Sequence, residues 1–562
     1  MDKSDVVIVG GVACGPKTGA VLARRNPSAT ITLFQKETRM SYGSCGMPYF
    51  ASGDINSFAE LESTSYGIPR DAAWFEKTRG FKVVAGAEVI AVDRTNKTVT
   101  VKDVASGEKF EHGYDKLVLA TGATPSAAPF PIPESPCIRP FTRPDDAIAF
   151  RRMAEQGKVG RALIVGGGFI GCELAEAAGG LWGIETILVE REPQILPYAL
   201  DKDMAAIAER ELVRQGIDVR TGREIVRIDL LPEDQGLTAV LNDGQSVNAD
   251  YVFLCLGVRP NVELAKGAGL EIGERGGIVV NDRLQTSDPD IYAGGDCIES
   301  WHQITGKSLF LPMGSLANRH GRVISDNLAG NESSFPGVLG TFLVKVFDTN
   351  VGAVGLSERA AQDAGLKTNV LWGTFPDRPD YYPEGQTFVL KMVYEPESGR
   401  LLGLQAVGAG DICRRVDVFS SFLQRKATVR ELLDLEHGYA PPYSEALDPL
   451  HHLASMAQAQ MRGVQFISSQ TDLTADPELV LVDVRQAEEF ESESLAEHHG
   501  HCPTPLNIPL EELTDRAGEL DKSKRIIVSC KRGPRSYIAA SVLKRAGFER
   551  VEILAGGLQS LL

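Results

Sequence analysis

Short apolar runs, each followed by a glycine-containing turn and a longer amphipathic stretch, recur along this chain. The first apolar run is Val6 to Val9; a glycine turn and a stretch of helical periodicity through Arg25 follow it. A second run covers Ala29 to Phe34. This order is typical of strand, helix and parallel strand in an α/β sheet. It returns at 162–190 and at 480–546, so the chain is predicted to contain several such units.

Between about 341 and 450 the pattern changes to short strands punctuated by aromatic residues, which indicates a domain of a different kind. Residues 458–472 are mostly polar and predict a linker, after which the α/β pattern starts again. With 562 residues, the length suggests three or four domains.

Composition narrows the class of protein. The chain is 43% hydrophobic and 24% charged, as expected of a soluble globular protein, and no apolar run reaches the ~18 residues of a membrane span. Its net charge of −17 argues against nucleic acid and anionic membranes as partners. Nine irregularly spaced cysteines, and a first strand that leaves no room for a signal peptide, predict a reducing cytoplasm.

The first glycine turn carries Gly10, Gly11 and Gly15 at the start of a predicted helix. Backbone N–H groups at such a helix N-terminus can hold a pyrophosphate. Val12 replaces the middle glycine of the usual motif, and Gln35 stands where an acidic ribose ligand is usual. We predict a dinucleotide site formed by these glycines with Gln35 and its neighbour Lys36; an ordinary α/β turn is the alternative.

The second glycine turn is complete, with Gly166, Gly168 and Gly171 followed by an acid, Glu190, at the end of the next strand. This is the dinucleotide fingerprint with its ribose carboxylate. Glu190 would repel a 2′-phosphate, so the pattern predicts NADH, although the adjacent Arg191 leaves NADPH open.

Two further strands end in small-residue turns, ATGATP with Thr121 and Gly122, and YAGGDC with Asp296. Together with the first glycine turn, these motifs resemble the two-dinucleotide flavoprotein disulfide reductases over residues 1 to about 455. The resemblance implies bound FAD, held by the first turn, Thr121, Gly122 and Asp296. It also implies the domain boundaries: 1–155 with 286–332 for FAD, 156–285 for NAD, and 333–457 for dimerisation.

Cys45 lies in SYGSCGMPYF, at the predicted mouth of a helix where backbone N–H groups favour a thiolate. A small apolar core residue is the alternative. The resembled family often carries a C-x4-C pair, but the second position here is Phe50. We therefore predict a single redox cysteine that pairs with a thiol or oxidised sulfur from outside the chain.

The stretches TFLVKVFDTNVGAVGLSE and YAPPYS resemble the coenzyme A disulfide reductase branch. That resemblance implies a homodimer whose tyrosines face the partner's redox cysteine: first Tyr439 and then Tyr382, with Tyr381 and Tyr443 as further candidates. Packing at the interface is the alternative role for all four.

Coenzyme A needs cationic partners, and the residues predicted to hold it are Arg24, Arg25 and Ser41. A solvated helix C-terminus is the alternative for the two arginines. Ser44 departs from the asparagine usual before the cysteine in this branch.

A sibling branch contains NADH oxidases and peroxidases, which place a histidine in the first glycine turn. Ala13 occupies that position here, which favours sulfur chemistry. A non-enzymatic sulfur carrier or redox sensor stays open as a third function.

The C-terminal part, 473–562, resembles a rhodanese domain. Cys530 follows a buried strand, and Arg535 and Ser536 complete a C-x4-R loop whose N–H groups would stabilise a persulfide. Phosphatases use a longer C-x5-R loop, so sulfur transfer is favoured. The other matches are Asp483, Arg485, Gly500, His501 and Asn507 to Pro509.

The sequence thus predicts an α/β flavoprotein of two dinucleotide-binding domains, an α+β dimerisation domain and a rhodanese domain. It would use NADH to reduce coenzyme A disulfide, persulfide or polysulfide at Cys45, with Cys530 delivering sulfane sulfur. We expect Cys45 to be buried and Cys530 to lie on an accessible surface loop. The tract His498, His499, His501 and Cys502 is predicted to bind no metal, as it matches a rhodanese turn.

Overall fold

The computed structural model describes residues 2–232, 236–467, 473, 478–492 and 504–558. The chain forms two compact units, one of residues 1–193 and 215–338 and one of residues 194–214 and 339–562. The predicted α/β class is confirmed, with parallel sheets in both units.

The first unit contains a seven-stranded sheet whose parallel part carries the first glycine turn. Asp2–Val9 lies between Ile31–Gln35 and Lys109–Leu119, and the segments 6–9, 31–35 and 117–119 of these strands are buried. Valine, isoleucine and leucine fill these strands because helices cover both faces of a parallel sheet. The sheet order is Lys82–Ala85, Ile31–Gln35, Asp2–Val9, Lys109–Leu119, Thr98–Asp103, Ala87–Asp93, with Ile291–Ala293 also paired to Lys109–Leu119.

A second, fully parallel sheet carries the second glycine turn in the same unit. Its strand order is Asp218–Thr221, Glu185–Glu190, Arg161–Val165, Tyr251–Leu254, Ile138–Pro140. A three-stranded antiparallel sheet accompanies it, formed by Ile225–Leu230, Leu237–Leu241 and Ser246–Ala249. The helices of this unit are Cys14–Arg25, Met47–Ser52, Phe58–Glu62, Ala72–Arg79, Pro144–Glu155, Phe169–Gly179, Glu263–Gly267 and Gly314–Leu328.

The second unit contains a five-stranded antiparallel sheet, in the order Phe342–Val346, Thr349–Gly355, Leu401–Gly408, Thr387–Tyr394, Asn369–Pro376. Helix Lys202–Arg214 belongs to this unit, although by sequence it follows the second glycine turn. The other helices beside this sheet are Glu358–Asp363, Cys413–Gln424, Val429–Leu433 and Pro449–Met461.

A buried lysine joins helix Lys202–Arg214 to this sheet. The Lys391 ammonium lies 2.7 Å from Asp203, 3.1 Å from Asp201 and 2.9 Å from Glu358, with 1% of the side chain exposed. Burial alone would lower the pKa of Lys391, but Asp203 and Asp201 raise it to about 12. The lysine is therefore charged and compensated on three sides.

The C-terminal part of the second unit is a parallel sheet in the order Gln465–Ile467, Val551–Leu554, Arg525–Ser529, Leu479–Asp483, Leu506–Asn507. Among the described residues of this part, the helices are Ala487–Ser492, Leu513–Arg516 and Pro534–Arg545. The linker prediction for 458–472 is wrong at its start. Residues up to Met461 complete a helix, and Gln465–Ile467 pairs with Val551–Leu554, because Phe466 and Ile467 find apolar neighbours there.

The described residues show neither a membrane span nor a cluster of metal ligands. No helix among them is long and apolar enough to cross a bilayer. None of their histidine, cysteine and acidic side chains form a group of three that could hold a metal ion. The tract from His498 to Cys502 and Gly500 within it lie outside the described residues.

Candidate active site

The first glycine turn is closed too tightly for side chains. Gly10 has φ +110°, and a Cβ there would lie 2.1 Å from the Ala120 carbonyl oxygen. A Cβ on Gly15 would lie 1.9 Å from the Gly10 oxygen. The strand and the helix Cys14–Arg25 therefore approach closely at this turn, as a pyrophosphate site at a helix N-terminus requires.

Gln35 closes the same turn from the next strand. Its Oε1 accepts a hydrogen bond of 2.7 Å from the Gly11 N–H, and its Nε2 donates to Glu37 at 2.8 Å. Gln35 is buried, whereas Lys36 is exposed and pairs with Glu88. The roles predicted for Gln35 and Lys36 towards a cofactor stay predictions.

The second turn repeats this construction with a charged residue. A Cβ on Gly171 would lie 1.9 Å from the Gly166 oxygen, and Gly168 precedes helix Phe169–Gly179. Glu190 accepts a 2.6 Å hydrogen bond from the Gly167 N–H and a 2.8 Å bond from the Glu192 N–H. Its carboxylate is thereby fixed at the end of the strand.

The first of the two small-residue turns lies beside the first glycine turn, where Ala120 contacts Gly10. Thr121 donates through Oγ1 to the Asn261 carbonyl at 2.6 Å, and Asn261 returns a 2.8 Å bond to the Thr121 carbonyl. Gly122 adopts a left-handed conformation, φ +69°. Sequence reasoning missed Asn261, because nothing near it marks a partner 140 residues away.

Asp296 sits in the second of these turns, and burial raises its pKa to about 6. Within the described part of the chain, no hydrogen bond holds its carboxylate. Desolvating a carboxylate is costly unless a donor reaches it. A ribityl hydroxyl of a flavin would supply that donor, so the residues at this turn fit FAD.

Cys45 lies in the turn Ser44–Gly46, directly before helix Met47–Ser52, as predicted. The turn is tied to the first glycine turn by a 2.8 Å hydrogen bond from the Ser41 N–H to the Gly11 carbonyl. A Cβ on Gly314, the first residue of helix Gly314–Leu328, would lie 3.7 Å from the Cys45 sulfur. The thiol is exposed in this chain, contrary to the expectation of burial.

Opposing electrostatic effects act on the Cys45 thiol. Desolvation raises its pKa first, and the Glu173 carboxylate raises it further, whereas a hydrogen bond from Ser44 lowers it. Desolvation and the Glu173 carboxylate thus oppose the donors of the turn, and the thiolate predicted at Cys45 stays a prediction. Burial, and then Glu176, raise the pKa of Glu173 to about 7. The sequence predicted a helix around Glu173 but gave no indication that Glu173 acts on Cys45.

The Cys530 loop forms a cradle at the end of strand Arg525–Ser529. The Gly533 N–H lies 3.1 Å from the Cys530 sulfur and donates to it. A Cβ on Gly557 would lie 2.4 Å from the Cys530 carbonyl oxygen, so this loop is packed closely against the backbone that follows the last strand. Ser536 is fully buried, and its hydroxyl has no hydrogen-bond partner among the described residues.

Comparisons with known proteins agree with this geometry. Residues 4–308 match the family "Pyridine nucleotide-disulphide oxidoreductase", residues 341–451 its dimerisation domain, and residues 469–562 the rhodanese-like domain. The chain belongs to the pyridine nucleotide-disulphide oxidoreductase family. It is thus an oxidoreductase with a dimerisation domain and a C-terminal rhodanese-like domain.

Three relatives of this oxidoreductase are informative. A protein of Pyrococcus abyssi named "NAD(P)H sulfur oxidoreductase (CoA-dependent)" is 36% identical over 452 residues, covering 80% of this chain and 98% of its own. The structure of an NAD-dependent persulfide reductase from A. fulgidus has a TM-score of 0.93 at 36% identity, covering 99% of this chain and all of the other. Reduced Bacillus anthracis CoADR-RHD has a TM-score of 0.91 at 31% identity, covering 100% and 98%.

The dimerisation domain of this oxidoreductase brings two predicted tyrosines together. Tyr381 and Tyr439 are exposed, and their hydroxyl groups lie close enough for Tyr439 to raise the pKa of Tyr381. Tyr382 lies beside them in sequence, with the Arg378 guanidinium 5.9 Å from its ring centre. Tyr443 is exposed, and its carbonyl accepts a 2.9 Å hydrogen bond from Arg414.

The residues predicted to hold coenzyme A lie at different places in the first unit. Arg25 pairs with Asp326 near the end of helix Gly314–Leu328, whose first residue lies against Cys45. Twelve residues of helix separate those positions by ~18 Å. Arg24 is exposed, while Ser41 is half-buried with φ +50° in the Cys45 segment. Their roles towards coenzyme A stay predictions.

In the rhodanese-like domain, Cys530 is buried, contrary to the expectation of an accessible loop, and both predicted arginines are held in ion pairs. Cys530 is 1% exposed rather than accessible, because its loop packs into the apolar core of this domain. Arg535 forms a two-pronged ion pair with Glu489 at 2.6 and 2.9 Å, which lowers the pKa of Glu489 to about 2. Asp483 and Arg485 form a buried pair at 2.9 Å.

Proposed function

We propose that this oxidoreductase uses NADH to reduce coenzyme A disulfide, coenzyme A persulfide or polysulfide at Cys45. Its rhodanese-like domain would supply sulfane sulfur from Cys530. The observation that carries the proposal is the presence of two separately built cysteine sites in one chain. Cys45 stands alone beside the first glycine turn, with Phe50 in place of a second cysteine, and the Cys530 sulfur accepts a hydrogen bond from the Gly533 N–H.

The names of its relatives support the same chemistry. The Pyrococcus abyssi protein is described as a coenzyme A-dependent sulfur oxidoreductase, and the A. fulgidus structure as a persulfide reductase. Both match this chain over most of their own length. We therefore place coenzyme A and small sulfur compounds among the ligands of this enzyme.

The residues of the first unit divide between two cofactors. The first glycine turn, Thr121, Gly122 and Asp296 would hold FAD, and the second turn with Glu190 would hold NADH. When bound, FAD and NADH supply the two electrons that cleave a sulfur–sulfur bond.

The chain's own residues carry the sulfur steps. The Cys45 thiolate attacks the substrate disulfide or persulfide and forms a mixed disulfide, releasing a thiolate or sulfide. Exposure lets an external sulfur reach Cys45, and Ser44 stabilises the thiolate through a hydrogen bond. In the second unit, the Gly533 N–H stabilises the sulfur anion at Cys530.

We also propose a homodimer in a reducing cytoplasm. A matched dimerisation domain and the paired exposed tyrosines Tyr381 and Tyr439 support the dimer. The described cysteines are free thiols, which is usual in reducing compartments.

The test measures sulfide release, oxygen consumption and NADH oxidation by the purified enzyme, and identifies FAD and coenzyme A by mass spectrometry after denaturation. The reductase releases sulfide from polysulfide and thiol from coenzyme A disulfide. Cys45→Ser should retain FAD and fall below a few per cent of both activities. Cys413→Ser, which changes another exposed thiol, is the control and should keep them. Oxygen consumption without sulfide release would identify an oxidase instead, and neither reaction would identify a carrier or sensor.

A further inference from the structure

An ion pair connects the Cys530 loop to the dimerisation domain of the same chain. Arg532 donates from Nη1 to Asp380 Oδ1 at 2.9 Å, and its Nη2 donates to the other carboxylate oxygen. The two residues are 152 positions apart, so the contact bridges two domains within the second unit. Two-pronged arginine–carboxylate pairs fix orientation as well as distance.

The charges around this pair are complementary between the two domains. Lys531 and Arg532 contribute cations from the loop, and Asp380 and Glu445 contribute carboxylates from the dimerisation domain. The hydrogen bond from Arg532 lowers the pKa of Asp380. Burial raises the pKa of Glu445, whereas Arg532 lowers it. Arg532 is therefore engaged with acids of another domain rather than free to hold an anionic sulfur donor.

Arg532 and Asp380 each lie close in sequence to residues of the proposed reaction. On the loop side, Cys530 lies two residues before Arg532. Its carbonyl accepts a 2.9 Å hydrogen bond from the Leu558 N–H, which fixes this part of the loop. On the other side, Asp380 directly precedes Tyr381 in the chain, and the hydroxyl of Tyr381 interacts with that of Tyr439. Docking Arg532 on Asp380 therefore sets the position of Cys530 relative to the tyrosine pair.

We propose that the Arg532–Asp380 pair is a positioning contact that docks the Cys530 loop beside the tyrosine pair for sulfur transfer to a thiol acceptor bound there. The proposal rests on the proposed function for the identity of that acceptor, a coenzyme A thiol. Asp380 acts through Arg532 and does not touch the sulfur.

The transfer itself involves no net oxidation or reduction. The acceptor thiolate attacks the outer sulfur of the Cys530 persulfide and forms a new sulfur–sulfur bond. The bond between the outer sulfur and the Cys530 sulfur breaks, and its electron pair leaves with Cys530 as a thiolate. The product is the acceptor persulfide, which the proposed reductase site then consumes.

The test compares Asp380→Asn with the unmodified enzyme in three assays on the full-length holoenzyme. They are sulfur transfer from thiosulfate to cyanide, NADH-dependent reduction of coenzyme A disulfide, and NADH-dependent sulfide release from a sulfane donor with catalytic coenzyme A. Only the third needs sulfur to pass from the Cys530 loop to the acceptor thiol. We expect it to fall two- to fivefold, the range for a partly exposed ion pair, while the first two stay within twofold.

Salt and conservative variants separate positioning from a merely structural role. Coupled sulfide release by the unmodified enzyme should fall as KCl rises from 50 to ~500 mM, and that by Asp380→Asn should not. Asp380→Glu should retain most of the coupled rate. Glu397→Gln, which removes the carboxylate of an exposed pair with Lys367 in the same unit, is the matched control and should have no effect.

Hydrogen–deuterium exchange of the loop peptide covering 530–536 measures docking without turnover, and should be faster in Asp380→Asn. Unchanged exchange together with unchanged coupled release would overturn the proposal, and so would an equal loss in all three assays. If the unmodified enzyme releases no sulfide, the proposed function fails. The exchange comparison then still decides whether the contact docks the loop.

Discussion

Glu190→Gln should change the choice of nucleotide without changing the shape of the second turn. The Glu190 carboxylate is 8% exposed and held by the N–H groups of Gly167 and Glu192. The chain contains a precedent for glutamine at this place, because Gln35 accepts the corresponding hydrogen bond from Gly11 at 2.7 Å. A glutamine at 190 can therefore close the turn with no charge.

The size of the effect follows from the charge that is removed. With an effective dielectric constant of about 20, the carboxylate opposes each unit of phosphate charge by about 4 kcal/mol at ~4 Å and about 2 kcal/mol at ~8 Å. These values correspond to a change of roughly 30- to 1,000-fold in the ratio of kcat/KM for NADPH to that for NADH. One lost acceptor for the Glu192 N–H should lower the free energy of unfolding by about 1 kcal/mol.

The assay is steady-state reduction of coenzyme A disulfide with each nucleotide, at low and high ionic strength. Glu185→Gln is the control, since Glu185 begins the same strand and is exposed beside Arg161. A ratio that changes less than threefold in Glu190→Gln would refute this reasoning. It would indicate that Arg191, rather than the buried acid, governs nucleotide choice.

Two further predictions concern the second unit. Cys530→Ser should keep NADH-dependent reduction of coenzyme A disulfide at Cys45. It should lose most of the NADH-dependent sulfide release from bulky sulfane donors. Rates equal to those of the unmodified enzyme with every donor would contradict a role for Cys530. Lys391→Met should lower the free energy of unfolding by about 3–5 kcal/mol near pH 7.5, measured by urea denaturation, because it leaves buried carboxylates uncompensated. Without Lys391, the pKa of Asp201 would rise from its lowered value, and the pKa of Asp203, which burial already raises, would rise further. The deficit should therefore shrink as pH falls and these carboxylates become protonated, and a deficit independent of pH would contradict this account.

The elements that the sequence predicted well are those with local causes. Gly10 and Gly166 both need positive φ and a close approach of backbone, and these needs appear as glycines at a fixed spacing. The Cys530 loop is similar, because the N–H group that donates to its sulfur belongs to Gly533, only three residues along the chain. The predicted family, with its dimerisation and rhodanese-like domains, is confirmed for the same reason.

The features that escaped prediction depend on residues far apart in the chain. The exposures of Cys45 and Cys530 are the reverse of those expected, since burial depends on what packs over each loop. Glu173 raises the pKa of Cys45, although the two residues belong to different predicted nucleotide-binding segments and no sequence pattern connects them. No local pattern identifies Asp380 as the partner of Arg532, because both residues lie in polar stretches where charged side chains of either sign are common.

The place of helix Lys202–Arg214 in the sequence affects the order in which the second unit is synthesised and the fragments from which it can be made. Residues 201–214 leave the ribosome well before the strand that carries Lys391. Asp203 in this helix and Asp201 directly before it nevertheless supply two of the three carboxylates around that lysine. The second unit therefore cannot be completed from a fragment that begins at 339. Such a fragment would carry Lys391 with Glu358 alone, and adding residues 194–214 in trans should raise its stability. Any dissection of the two activities should keep that helix with the sheet it serves.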